Sequence, residues 1–137
     1  MNNSYNLLTL WERNFSKCTF DYQHLFLSHT FYGFPDEFDL QEVSYDVLST
    51  LTNRKLDKLL IDASQFQFSN TSFKYWLTQN WFSQAREAGL RHVAWVVSTE
   101  NVIDIMELVE ESLEGIVNVQ YFDSEAKGRT WLAGIES

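Results

Sequence analysis

The side chains whose types and spacing could do chemistry cluster between Asp62 and Ser72, in the run Asp-Ala-Ser-Gln-Phe-Gln-Phe-Ser-Asn-Thr-Ser. Asp62 closes a short apolar run and can bind backbone or turn donors, and Ser64 follows it in the same turn. Ser69, Asn70, Thr71 and Ser72 stand just before a segment with helical periodicity, so Asn70, Thr71 or Ser72 can cap that helix. The same hydroxyls could carry a phosphate, which would place roughly two negative charges where a helix N-terminus favours them. Capping alone is the other role open to these residues. Phe66 and Phe68 are the side chains that would anchor the loop to a core.

Other reactive groups lack partners at a useful spacing. His24 and His29 are five residues apart in sequence that reads as strand, where odd spacing sends side chains to opposite faces, and His92 stands alone at the start of another apolar run. The single cysteine, Cys18, has no second thiol to pair with and no ligand spacing around it. Neighbouring carboxylates such as Glu110 and Glu111 point apart on a helix. There is no G-x-S-x-G turn, and the five glycines are too scattered for a phosphate-binding loop. These absences argue against hydrolytic, metal-dependent and nucleotide-dependent chemistry; no catalytic residue, metal or cofactor is expected.

The elements that must position the Asp62–Ser72 segment follow from hydrophobic period. Asn6 to Arg13, Cys18 to Gln23 and Leu25 to Tyr32 read as strands joined by links too short for a crossover helix, which predicts antiparallel pairing. Gly33-Phe34-Pro35-Asp36 is a turn, after which Leu40, Val43, Val47, Leu48 and Leu51 form a helical face, with Asp39 and Glu42 as its capping pair. Arg54, Lys55 and Lys58 follow as a cationic group suited to a helix C-terminus.

Lys58 to Ile61, His92 to Val97 and Val117 to Phe122 read as buried strands. Between the first two, a helix from about Thr71 to Ala88 carries Phe73, Trp76, Leu77, Trp81, Ala85 and Ala88 on one face, which Tyr75 and Phe82 widen. The excess of rings there has two readings: packing under the N-terminal strands, or an aromatic binding surface at Tyr75, Trp76 and Phe82. A helix from Asn101 to Gly115 is predicted next, with Glu100, Asp104, Glu107, Glu111 and Glu114 in one acidic stripe that is either solvated or a dock for a basic partner. A last helix begins at Asp123 or Ser124 and contains Gly128. The fold expected is a single α/β domain over residues 1–137, with a mixed sheet made of an N-terminal antiparallel hairpin followed by αβαβαβα.

With 137 residues, the chain can bury a core without disulfides or metal, and eleven Phe, six Tyr and five Trp make that core aromatic-rich. Nineteen acidic against ten basic side chains give a net charge of −9, which opposes binding to nucleic acid and to anionic membrane. The start, MNNSYNLL, lacks the features of a signal peptide, and no apolar run approaches a membrane span. A reducing, cytoplasmic setting is expected.

The run from Asp62 to Phe73 resembles the STAS domain, the fold of sulfate-transporter tails and anti-sigma-factor antagonists, and in particular the SpoIIAA-like group of small bacterial proteins. Those domains have a strand ending in Asp-x-Ser, an apolar-spaced loop, and Asp-Ser-Ser-Gly opening a helix; here stand Asp62-Ala63-Ser64, Phe66 and Phe68, then Asn70-Thr71-Ser72-Phe73. Ala88 to Val96 and Tyr121 to Leu132 are similar to the closing elements of that group, so the likeness covers Leu25 to Leu132. It implies a non-enzymatic regulatory or protein-interaction domain, with an unidentified protein partner or a second copy docking near the turn, and a phospho-switch at Thr71 or Ser72. Asn70 and Phe73 depart from the family's acidic residue and glycine, which bears on recognition by a kinase. The alternative is a small-molecule or lipid carrier using an aromatic-lined pocket between the second helix and the N-terminal hairpin.

Overall fold

The computed structural model describes residues 6–66, 71–98, 106 and 115–135. A six-stranded mixed sheet runs in the order β1 (Leu7–Glu12), β2 (Ser16–Asp21), β3 (Phe26–Phe31), β4 (Lys58–Asp62), β5 (His92–Val96) and β6 (Asn118–Phe122). The first three strands pair antiparallel and β3 to β6 pair parallel, as expected for short links followed by helical crossovers. β1 carries an irregularity between Thr9 and Trp11, a bulge that lets Trp11 face Cys18 on β2.

Period-two alternation divides the sheet into two faces. Leu27, Phe31, Leu59, Ile61, Val93 and Trp95 point into the larger core, beneath α1 (Glu37–Arg54) and a second helical rod. That rod comprises α2 (Thr71–Trp76), a π-helical segment (Leu77–Trp81) and α3 (Phe82–Glu87). Phe26, Leu60, Ala94 and Val96 point the other way, against Leu132 of α4 (Glu125–Ala133). Gly128 lies where α4 approaches the sheet most tightly: a Cβ there would sit 3.1 Å from Leu60 Cδ1 and 3.4 Å from Ala94 Cβ. Close packing accounts for a glycine inside a helix, where it otherwise costs about 1 kcal/mol relative to Ala.

Several boundaries differ from those expected. α1 begins three residues earlier, because Asp36 and Asp39 form the reciprocal capping box: Asp39 N donates to Asp36 Oδ1 at 2.8 Å, and Asp36 N donates to Asp39 Oδ2 at 3.3 Å. Glu42 therefore belongs to the helix body. Lys58 is not a helix-end cation but the first residue of β4, with its side chain buried. His24 leaves the strand and lies in the β2–β3 turn, its backbone N–H held by Asp21 Oδ1 at 2.9 Å. Ser124 caps α4 by accepting from Lys127 N. Of the Asn101–Gly115 span only Met106 and Gly115 are described, and the acidic stripe lies outside the described residues.

The second rod is not one regular α-helix. The π segment adds a residue to a turn and rotates everything after it by about 100° relative to α2. Tyr75 and Phe82, seven apart and expected on one face, are separated by this rotation: Tyr75 is exposed and Phe82 is fully buried. The rod is tied to α1 by Trp81, whose Nε1 donates to the Ser44 carbonyl at 2.6 Å in the core.

Candidate functional site

At the carboxyl end of β4, Asp62 Oδ1 accepts from Ser64 N at 3.0 Å and from Ser64 Oγ at 2.7 Å. Ala63 N donates to Val96 O and Phe66 N to Ala63 O, so the chain turns tightly beside β5. Asp62 and Ser64 are thus brought together, with their polar atoms engaged in building this turn. Phe66 packs against Phe31 with ring centroids 5.6 Å apart, the anchoring role expected of it. Ser69 and Asn70 lie outside the described residues, and Thr71 opens α2. Ser72, one residue on, is exposed.

From there a chain of rings runs outward. Phe31 meets Phe73 at 6.4 Å, Phe73 stacks on Trp76 at 5.8 Å, and Trp76 meets the edge of Tyr45 from α1 at 5.4 Å. Phe31 and Phe73 are buried and Trp76 is half-buried, so the series passes from core to surface. On the outside, Phe38 is 72 %, Tyr45 43 % and Tyr75 47 % exposed, and Phe34 just before α1 is fully exposed. Phe38 and Tyr45 are two helical turns apart and share one side of α1. Of the three aromatic residues expected to form a binding surface, Tyr75 and Trp76 are at this place. Phe82 is not, because the π segment turns it into the core beside Trp81 and Trp95. Phe34, Phe38 and Tyr45 escaped sequence reasoning; their offset from the apolar stripe of α1 was the available signal.

Beneath the rings is a buried polar chain that spacing did not foretell. Trp11 Nε1 donates to Ser16 Oγ at 3.0 Å, and Ser16 Oγ lies 2.8 Å from His29 Nε2. An indole nitrogen only donates, so the Ser16 oxygen accepts from Trp11 and uses its remaining hydrogen-bonding capacity on His29 Nε2. Burial, with a smaller contribution from the Arg13 charge, pushes the His29 pKa down from 6.5 to about 3. His29 is therefore neutral, and it packs on Phe31 with centroids 4.3 Å apart. Cys18, paired with His29 across the strands, has its thiol pushed up to about 12, chiefly by burial. A serine hydrogen-bonded to an imidazole has the makings of a nucleophile, yet both residues are shut off from solvent. Their arrangement serves to satisfy polar groups inside an aromatic core.

Comparison with protein-family models, curated proteins and solved structures returned no match. Among the described residues no group of three or more His, Cys, Asp or Glu is placed to hold a metal ion, and no helix is long and apolar enough to cross a membrane. What this end of the molecule offers is a ring-lined surface beside an exposed hydroxyl at a helix start, over a core whose reactive groups are neutral and inaccessible.

Proposed function

We infer that this chain is a non-enzymatic, STAS-like regulatory or protein-interaction domain whose partner docks where α1 and α2 meet. The observation that carries the reading is the set of exposed aromatic side chains around α1 and α2, of which Tyr45 is connected to the core through Trp76 while Phe34, Phe38 and Tyr75 face solvent. A ring held by packing, as Tyr45 is by Trp76, loses little entropy on binding, which is what an anchor of an interface requires. Asp36, Glu37, Asp39 and Glu42 surround the start of α1, so the complementary partner is basic with apolar anchors of its own. The buried state of Ser16, His29 and Cys18 supports a binding role over a catalytic one. The close ring packing of Phe31, Phe66 and Phe73 supports it over a carrier with a pocket between the second helix and the hairpin.

Ser72 stands three residues before Tyr75, so a phosphate there would bring charge to the edge of the docking surface while the helix N-terminus tolerated it. Thr71 is the neighbouring candidate. The test compares partners recovered from native cells by wild type and by Phe38→Ser, Tyr45→Ala, Tyr75→Ala, and the Asp and Ala replacements of Thr71 and Ser72, followed by titration of the purified partner. The aromatic variants should lose it with melting temperatures within about 2 °C of wild type. Replacement by Asp, but not Ala, should weaken binding. Recovery of the same partner at wild-type yield by all three aromatic variants rejects the docking surface; unchanged binding by all four hydroxyl variants rejects the switch.

A further inference from the structure

A recess lies between the β2–β3 turn and the end of α1. It has a volume of about 450 Å³ and is lined by Phe20, Leu25, Arg54, Lys55, Leu56 and Asp57. Cavities of small-molecule sites fall in this size range, mostly apolar with a few convergent polar groups. Phe20 and Leu56 are buried, while Leu25, 49 % exposed, stands as an apolar wall. The charged lining is Arg54 and Lys55 against Asp57, a local balance of +1 on a chain whose net charge is −9.

Two features show that this lining is held in place. The Arg54 guanidinium lies over the Phe20 ring, 4.6 Å from its centroid, and a stacked guanidinium keeps its planar set of donors positioned for an oxyanion. Leu25 and Lys55 are the non-glycine residues of the described chain with positive φ, at 59° and 55°, and both line this recess. For Lys55 this is the ordinary left-handed C-cap of α1; for a bulky residue such as Leu25 it is uncommon, and outliers of that kind collect at functional sites, where surrounding structure maintains them. Here Leu25 is fixed by its N–H donating to Asp21 O at 2.8 Å, and Lys55 by bonds to the last carbonyls of α1.

We propose that the recess formed by Phe20, Leu25, Leu56, Arg54 and Lys55 binds a small amphipathic anion, its apolar body against the three hydrophobic side chains and its carboxylate or sulfonate at the two cations. This site is separate from the docking surface at α1 and α2, and neither depends on the other.

The probe is 1-anilinonaphthalene-8-sulfonate, titrated by fluorescence and calorimetry into the intact chain, with uncharged N-phenyl-1-naphthylamine as the control for the anion. Arg54→Gln keeps the apolar stem, Lys55→Asn removes the charge with a residue that tolerates left-handed backbone, and Leu25→Gly removes the wall while relieving its backbone. Saturable one-to-one binding is expected, at least about tenfold tighter than for the neutral compound. Arg54→Gln and Lys55→Asn should each weaken it about fivefold. Leu25→Gly should weaken it about tenfold with no fall in melting temperature. Amide shift changes on binding should centre on Phe20, Leu25 and Leu56. Absence of saturable binding, equal binding of the neutral compound, wild-type affinity in all three variants, or shift changes centred on Phe38 and Tyr45 would each overturn the proposal.

Discussion

Lowering the pH from 7 to 5 should destabilise this protein through His29. The imidazole is sealed behind Trp11 and Phe31, with the Arg13 charge nearby, and its pKa falls from 6.5 to about 3 on folding. A base with a depressed folded pKa is neutral in the native state and takes a proton on unfolding. Its contribution is complete above pH 6.5, shrinks as pH falls below that value, and levels off only near the folded pKa of about 3. Integrating proton uptake by the unfolded chain gives a loss of about 2 kcal/mol between pH 7 and pH 5, a large part of the stability of an ordinary domain. The assay is urea denaturation of wild type and His29→Phe at several pH values across that range. Phe fits the ring contacts with Phe31 and Trp11, although it leaves Ser16 without its imidazole partner, so the variant starts from a lower stability. Everything else that binds protons is common to both proteins and cancels in the difference. The wild type should lose about 2 kcal/mol more than His29→Phe between pH 7 and pH 5. A difference below about 0.5 kcal/mol would refute the claim that His29 is held neutral by burial.

Two further outcomes follow from packing. Leu60→Ala should cost about 2–5 kcal/mol in chemical denaturation, and the cost should be smaller in a Gly128→Ala background, because the added methyl points at the space vacated by Leu60 Cδ1; strict additivity would contradict the close approach of α4 to the sheet. Cys18, with its thiol pushed up to about 12 and its side chain buried, should react with iodoacetamide about a thousandfold more slowly in the native protein than in urea at pH 8.5, and native labelling at the unfolded rate would show that β2 is not closed over it.

Local chemistry in the sequence was enough to give the order of the described elements. Apolar runs bounded by turn residues located β4, β5 and β6 to within a residue, since a strand buried on both faces has few alternatives to a continuous run such as Leu59-Leu60-Ile61. Short links between the first strands dictated antiparallel pairing for the same local reason. The turn-holding role of Asp62 and the anchoring of Phe66 were legible from residue type and position, while the identity of the Asp62 donor, Ser64, came from the structure.

Whatever depended on long-range register was decided by the tertiary structure. Ser16 and His29 are thirteen residues apart and meet because the β2–β3 register sets Cys18 opposite His29, a pairing that no motif in the sequence marks. Phe82 and Tyr75 obey the same helical spacing yet end in core and solvent, since the π segment between them is stabilised by what the rod packs against, including the Trp81 bond to Ser44 on α1. Arg54 and Leu25 line one recess although α1 and the β2–β3 turn are far apart in the chain. A sequence specifies each side chain's chemistry and local period directly. Which side chains share a surface is fixed only when the sheet register and helix rotation bring distant segments together, and both candidate binding surfaces of this protein arise at that level.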